Sequence, residues 1–206
     1  MLGAFIGDSL GSYREFETGD CPKSHLDKAM SMPGGGIWKI RPGQVTDDSE
    51  LAMCQLRGLL AGGGKYDPFH HALYYGHWVN SKPFDMGNAT RNGLGPLTTC
   101  LPSPNPDLAV EAARCGPGAR SMSNGSMMRI TPLAVWARHL GTTDLEDCVR
   151  LDSSMTHSKT DMWDLCSAYC IAIKTLIQNA DDSNRAQLAI DAVREYSERD
   201  MRSFVV

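Results

Sequence analysis

Apolar residues recur at helical spacing through most of this chain. Leu51, Met53, Leu56, Leu59 and Leu60 mark one helix, and the run closes on glycines at 62–64. "DPFHHALYYGHWV" predicts a second, with Asp67 as its cap and Pro68 at the first helical position. A third covers "GSMMRITPLAVWARHLG", in which Pro132 either kinks the helix or marks a later true start. "DLEDCVRLDSSMTH" and "KTDMWDLCSAYCIAIKTLIQ" read as two more. The latter is apolar on most faces, so it is the most buried, with Cys166 and Cys170 packing one turn apart. "SNRAQLAIDAVREYSERDMRSFVV" is a last amphipathic helix with a stripe of Leu188, Ile190, Val193 and Tyr196. No segment of alternating polarity is long enough to demand a strand. The pattern predicts an all-α, multi-helix domain spanning residues 1–206. Long loops rich in Gly, Pro and Asn interrupt it at 23–45, 81–96, 101–107 and 115–125. Loops of that length tend to carry function.

Composition narrows the classes. With 42% hydrophobic residues in 206, an ordinary core is within reach. The net charge of −4 is spread without long runs, which argues against a nucleic-acid binder. No apolar run approaches the roughly 20 residues of a membrane span. Seven cysteines without a CxxC pair predict free, mostly buried thiols and a reducing compartment. The N-terminal "MLGAFIGDSLGSYREF" lacks a basic segment and is interrupted by Asp8, so it makes a poor signal peptide. Cytoplasm is the expectation; the mitochondrial matrix is the alternative for a chain whose presequence was removed.

Several loops carry chemistry-bearing residues. Thr46, Asp47 and Asp48 open the helix in "QVTDDSELAMCQLRGLL". They read either as a capping box, with Asp47 at the N-cap and Glu50 three residues on, or as oxygen donors to a hard cation. Glu15 follows the first helix of "GDSLGSYREF", where Gly7 and Gly11 permit close packing; alone, such a Glu is solvated surface. Asp85 stands before Gly87 and Asn88 in an ordinary-looking turn. "SMSNGSMMR" resembles a backbone N–H cradle suited to an anion such as a phosphate. His157 in "SSMTHS" reads as a capping or packing residue when taken by itself.

Taken in order, "GAFIGDSLGSYREF", "GGGIWKIRPGQVTDDSELAM", "PFDMGNATRNGL", "SNGSMMRITPLAVW" and "MTHS" resemble the ADP-ribosylglycohydrolase family, in particular its branch acting on ADP-ribosylated dinitrogenase reductase. The likeness runs from Gly3 to about Ile173. It implies an orthogonal all-α fold, a centre of two Mg²⁺ ions, and hydrolysis of the N- or O-glycosidic bond joining ADP-ribose to a protein side chain. Thr46, Asp47 and Asp48 match the family's first metal-binding motif. Glu15 and Asp85 match catalytic acids. Ser121, Ser123, Asn124 and Gly125 match the loop that receives ADP-ribose, with Asn88 and His157 beside it. The partner implied is ADP-ribose or an ADP-ribosylated protein.

Family members continue into a later "DTDT"-type motif that supplies the other metal ligands, and this sequence reaches Val206 without one. Asp181 and Asp182 in "NADDSNRA" sit at a helix–helix turn, too close to "MTHS" to stand in. The expectation is a family domain lacking its C-terminal part. It would be a fragment or half of an active enzyme, or else an inactive member serving as a structural or ADP-ribose-binding subunit of a complex. Apolar surface on the helix around residues 163–177 would then be covered by another protein, or by the terminal helix folding back.

Overall fold

The computed structural model describes residues 1–100, 106–115 and 120–200. Its helices are α1 (Leu2–Gly11), α2 (Lys23–Ala29), α3 (Asp47–Ala61), α4 (Pro68–Asn80), α5 (Asn88–Cys100), α6 (Pro106–Arg114), α7 (Thr131–Trp136), α8 (Thr142–Ser153), α9 (Thr160–Gln178) and α10 (Arg185–Asp200). Short 3₁₀ turns follow α1 at Ser12–Arg14 and α7 at Ala137–His139. Among the described residues there is no strand, only an isolated bridge between Gly35 and Ile40. The architecture is all-α. No helix among the described residues is long and apolar enough to cross a membrane.

The strongly periodic segments fold as their pattern predicts. α4 starts on Asp67, whose carboxylate accepts the Phe69 N–H at 3.0 Å, with Pro68 at the first position. Pro132 marks the later start: residues 124–129 form turns, and α7 begins at Thr131. The loop readings fare less well. α2 stands inside the segment read as loop over 23–45, and α5 begins inside that over 81–96. α5 contains Gly93, Gly95 and Pro96, poor helix formers, yet Thr90, Leu94 and Leu97 are fully buried along it, so packing overrides propensity. α6 takes residues 106 and 107 of the third expected loop. Residues 101–105 and 116–119, also read as loop, lie outside the described residues.

α3 separates two apolar clusters. Leu51 and Cys54 pack with Ala72, Tyr75 and Trp78 of α4, Leu94 and Leu97 of α5, and Val110 and Ala113 of α6. Leu59 joins Leu133 and Ala134 of α7, Leu145 and Val149 of α8, and Cys166, Cys170 and Ile171 of α9. Gln55, fully buried between them, accepts the Leu133 N–H at 2.9 Å and so satisfies an otherwise orphaned donor in the first turn of α7. The described cysteine thiols, Cys21, Cys54, Cys115, Cys148, Cys166 and Cys170, are free.

α10 folds back over α9, the alternative left open above. It does so through Ala189, Ala192, Val193 and Tyr196, whereas Leu188 and Ile190 of the expected stripe are exposed. The chain's own helix therefore covers part of the α9 face expected to need a second protein, while Ile177 near its end stays exposed. Gly7 and Gly11 do not serve close packing: nothing among the described residues lies within 4 Å of a Cβ placed on either.

The start of α3 is capped from a distance. The N-cap is Thr46, whose side chain makes no cap bond within the helix. Asp8 of α1 does that work. Its Oδ2 accepts from the backbone N–H of Thr46 (2.9 Å) and Ser49 (3.2 Å) and from Ser49 Oγ (2.6 Å), and its Oδ1 accepts from Thr46 Oγ1 (2.7 Å). The capping box centred on Asp47 does not form, because Glu50 instead accepts the Trp78 indole N–H at 2.7 Å. Asp8→Ala is expected to cost about 1–2 kcal/mol, the range for losing a helix cap. Urea unfolding measures it, and an unchanged midpoint would contradict the assignment.

Candidate active-site cleft

Asp47 and Asp48 are the first residues of α3, so the trans cap by Asp8 aims both carboxylates outward from the helix start. Glu15 follows the 3₁₀ turn after α1, and its Oε2 accepts the Trp38 indole N–H at 2.7 Å. Asp85 lies three residues before α5 in the irregular segment that follows α4, and Asn88 is the first residue of α5. Glu15, Asp47, Asp48, Asp85 and Asn88 line one cleft of 340 Å³ together with Ser121, Ser123, Asn124 and Gly125. Thr46 and His157 lie just behind this lining: Thr46 hydrogen-bonds to Asp8, and His157 Nε2 stands 3.0 Å from Ser123 Oγ. Asp181 and Asp182 take no part. They stand in the turn between α9 and α10, where Asp182 Oδ1 accepts the Asn184 N–H at 2.7 Å.

The carboxylates repel one another. Burial, then the charges of Asp47 and Asp8, push the Asp48 carboxyl up from 3.8 to about 7. Burial, then Asp47 and Glu15, push Asp85 to about 7. Asp47 is raised as well, chiefly by burial, although a hydrogen bond from the Gly87 backbone pulls the other way. Clustered, half-desolvated carboxylates of this kind mark sites where charge is to be neutralised by something else.

The loop at 121–125 is held by residues that the sequence reading did not single out. Arg129 and Asp152, both fully buried, pair through Nε and Oδ2 at 3.2 Å. Arg129 Nη1 also donates to the Gly125 carbonyl (2.8 Å) and to Thr156 Oγ1 (2.9 Å). Asp152 Oδ1 accepts from Tyr75 at 2.8 Å. Thr156 Oγ1 in turn meets His157 Nδ1 at 2.8 Å. Burial, then the nearby Arg129 charge, lower His157 to about 4, so its imidazole is neutral at pH 7. Two glycines permit this closeness. A Cβ on Gly93 would lie 2.6 Å from the Met155 carbonyl, and one on Gly125 3.0 Å from the His157 ring. An Arg inside the otherwise apolar "MMRITPLAVW" was the signal available in the sequence, as was an Asp in the apolar first helix.

The donor set suits a hard cation. It consists of carboxylate and hydroxyl oxygens, and Thr46 gives its hydroxyl proton to Asp8, leaving its lone pairs free. Among the described residues no three His, Cys, Asp or Glu side chains form a ready-made metal cage, so water or substrate oxygens would complete any shell.

The described residues thus form an all-α fold with an acid-lined cleft beside a hydroxyl- and amide-bearing loop, its negative charge concentrated on one side. The chain belongs to the ADP-ribosylglycohydrolase family, whose model matches residues 1–204. It is 30% identical over 184 residues to the ADP-ribosyl-[dinitrogen reductase] glycohydrolase of Rhodospirillum rubrum, covering 87% of this chain and 55% of that protein. It is 29% identical over 209 residues to ADP-ribosylarginine hydrolase Tri1 of Pseudomonas putida (strain GB-1), covering 94% and 50%. A solved ADP-ribosylglycohydrolase-related protein complex superposes with a TM-score of 0.69 at 25% identity, covering 97% of this chain and 60% of that one. The chain spans about half the length of the curated relatives it matches.

Proposed function

We propose that this cleft hydrolyses the glycosidic bond between ADP-ribose and a modified protein side chain, with Mg²⁺ bound by Thr46, Asp47 and Asp48. The observation that carries the reading is that Glu15, Asp47, Asp48, Asp85, Asn88 and the 121–125 loop share one cleft in a member of this family. Magnesium, when bound, would neutralise the carboxylates and orient ribose hydroxyls and water. The chain's own groups supply the rest. Ser121, Ser123, Asn124 and the backbone around Gly125 offer hydrogen bonds to the ADP-ribose moiety. Neutral His157, by bonding Ser123 Oγ, fixes that hydroxyl's direction. Asp85, whose carboxyl is pushed up to about 7 in the metal-free chain chiefly by burial, faces the same cleft and is the acid that would carry a proton to or from the reacting oxygen or nitrogen. Glu15, oriented by Trp38, stands as the second acid.

Release of free ADP-ribose from ADP-ribosyl-arginine and ADP-ribosyl-serine peptides, with and without Mg²⁺, tests the reading. Turnover that disappears in Asp47→Ala and Asp48→Ala supports it. ADP-ribose binding without turnover on either peptide would leave a binding subunit in its place.

A further inference from the structure

Arg114, the last residue of α6, lines a cavity of 380 Å³ between α6, the start of α4 and the end of α8. None of the residues around this cavity lines the acid cleft. The Arg114 Nε and Nη2 are buried, yet neither has a hydrogen-bond partner among the described residues. These two nitrogens share one edge of the guanidinium. Their N–H groups run parallel and match the two oxygens of a single carboxylate. Buried donors without acceptors are costly, and native proteins seldom leave two on one group. The end of α6 is itself held in place, because Ser158 Oγ donates to the Arg114 carbonyl at 3.0 Å.

The acids beside Arg114 do not occupy that edge. Glu111 stands one turn back on the same face of α6, but it accepts the Cys115 thiol at 3.1 Å. Asp67 caps α4 by accepting the Phe69 N–H, and it meets His70 Nδ1 at 2.8 Å. Asp107 is exposed, two turns before Arg114. The rest of the lining is apolar: Pro68, Phe69, Val110 and Leu151. A ligand here meets a guanidinium edge, three carboxylates and apolar walls together. Inorganic phosphate suits the edge alone, and the three acids repel its charge. A cation without a carboxylate leaves the edge unmatched. An α-amino acid with an apolar side chain carries a carboxylate, an ammonium and an apolar group on one carbon, and 380 Å³ lies at the small end of ligand pockets, about 300–1,000 Å³. We propose that this cavity binds the free zwitterion of a small apolar α-amino acid. Its carboxylate lies on the Arg114 Nε–Nη2 edge, its ammonium faces Asp107 and Glu111, and its side chain packs on Phe69 and Leu151. The site stands apart from the hydrolase reading, and either can fail without the other.

The test titrates the full chain with L-leucine while the backbone amides of Val110 and Arg114 are followed by NMR. Two truncated probes, 4-methylpentanoate without the ammonium and 3-methylbutylamine without the carboxylate, are run beside it. L-Leucine is expected to bind about tenfold or more tighter than either, the scale of a hydrogen bond to a charged group. Arg114→Lys keeps the charge but not the parallel N–H pair, and should weaken L-leucine about tenfold. Asp107→Asn should weaken L-leucine about threefold, the size of a solvent-screened ion pair, and leave 4-methylpentanoate unweakened. No shift with L-leucine at millimolar concentration, equal affinity for L-leucine and 4-methylpentanoate, or indifference to Arg114→Lys overturns the proposal. So does inorganic phosphate that displaces L-leucine at a lower concentration than L-leucine itself needs, which would mean a plain anion site. Far-ultraviolet circular dichroism checks that the variants fold. If Arg114→Lys does not, the exposed Asp107→Asn decides alone, and an unchanged L-leucine affinity there overturns the proposal.

Discussion

Asp152→Ala is expected to destabilise the protein by about 3–5 kcal/mol, the range for removing one partner of a buried ion pair. Asp152 and Arg129 have no exposed surface. Without the carboxylate, the Arg129 guanidinium keeps its charge in a dry interior and the Tyr75 hydroxyl loses its acceptor. Whole-protein stabilities run to roughly 5–15 kcal/mol, so the variant should be partly unfolded at physiological temperature. Replacing both partners by apolar residues of similar volume, as in R129M/D152L, should recover a good part of the loss, because no lone charge is left behind. The recovered fold should still bind ADP-ribose poorly. Arg129 is also the donor that fixes the Gly125 carbonyl and Thr156, and through Thr156 the His157 ring. Urea unfolding of the single and double variants, followed by titration with ADP-ribose, checks both parts. A single variant as stable as the parent would remove the network from the account of the site.

That network also shows where reading a sequence stops. α3, α4, α8, α9 and α10 were legible because their apolar periodicity is strong and local. α5 was not, since Gly93, Gly95 and Pro96 all speak against a helix, and it forms only because Leu94 and Leu97 find a core while Gly93 lets the helix press on the Met155 backbone. The acids of the cleft were named from their motifs, and the structure brings them to one cavity from α3, the turn after α1 and the approach to α5. Their supports could not be named so easily. Asp8 lies 38 residues from the Thr46 that it holds, and Trp38 lies 23 from Glu15. Neither partnership has a spacing rule. A charge placed in an apolar run, as at Asp8 and Arg129, is the trace that such long-range duties leave in a sequence. The stripe on α10 failed for a smaller reason. Ala189 and Ala192, short enough to let two helices approach, face α9 in place of the larger Leu188 and Ile190.

In metal-free buffer at neutral pH, Asp48→Asn is expected to make the protein more stable, while with MgCl₂ it is expected to reduce ADP-ribose release by about 10²-fold or more, the scale for losing an electrostatic contribution to a transition state. The sign follows from the direction of the shift. Asp48 titrates near 7 in the folded chain against 3.8 ordinarily, so folding favours its protonated form. Its favourable contribution is full below 3.8 and is lost as pH rises through about 7. Asp85 adds a second group with the same window. At one pKa unit per 1.36 kcal/mol the nominal penalty is large, but Asp48 is half-buried, so solvent screening reduces the expected gain in Asp48→Asn to about 1–2 kcal/mol. In a chelator, the parent protein should therefore lose stability between about pH 4 and about pH 7 more steeply than the variant does. Magnesium should reverse the ranking: bound to ionised carboxylates, it stabilises the parent in proportion to its occupancy and leaves Asp48→Asn nearly unmoved. Thermal unfolding across pH, with chelator and with MgCl₂, gives all four curves. A variant less stable than the parent in chelator, or equally stabilised by MgCl₂, would take Asp48 out of the proposed metal site and return the stretch that opens α3 to a purely structural role.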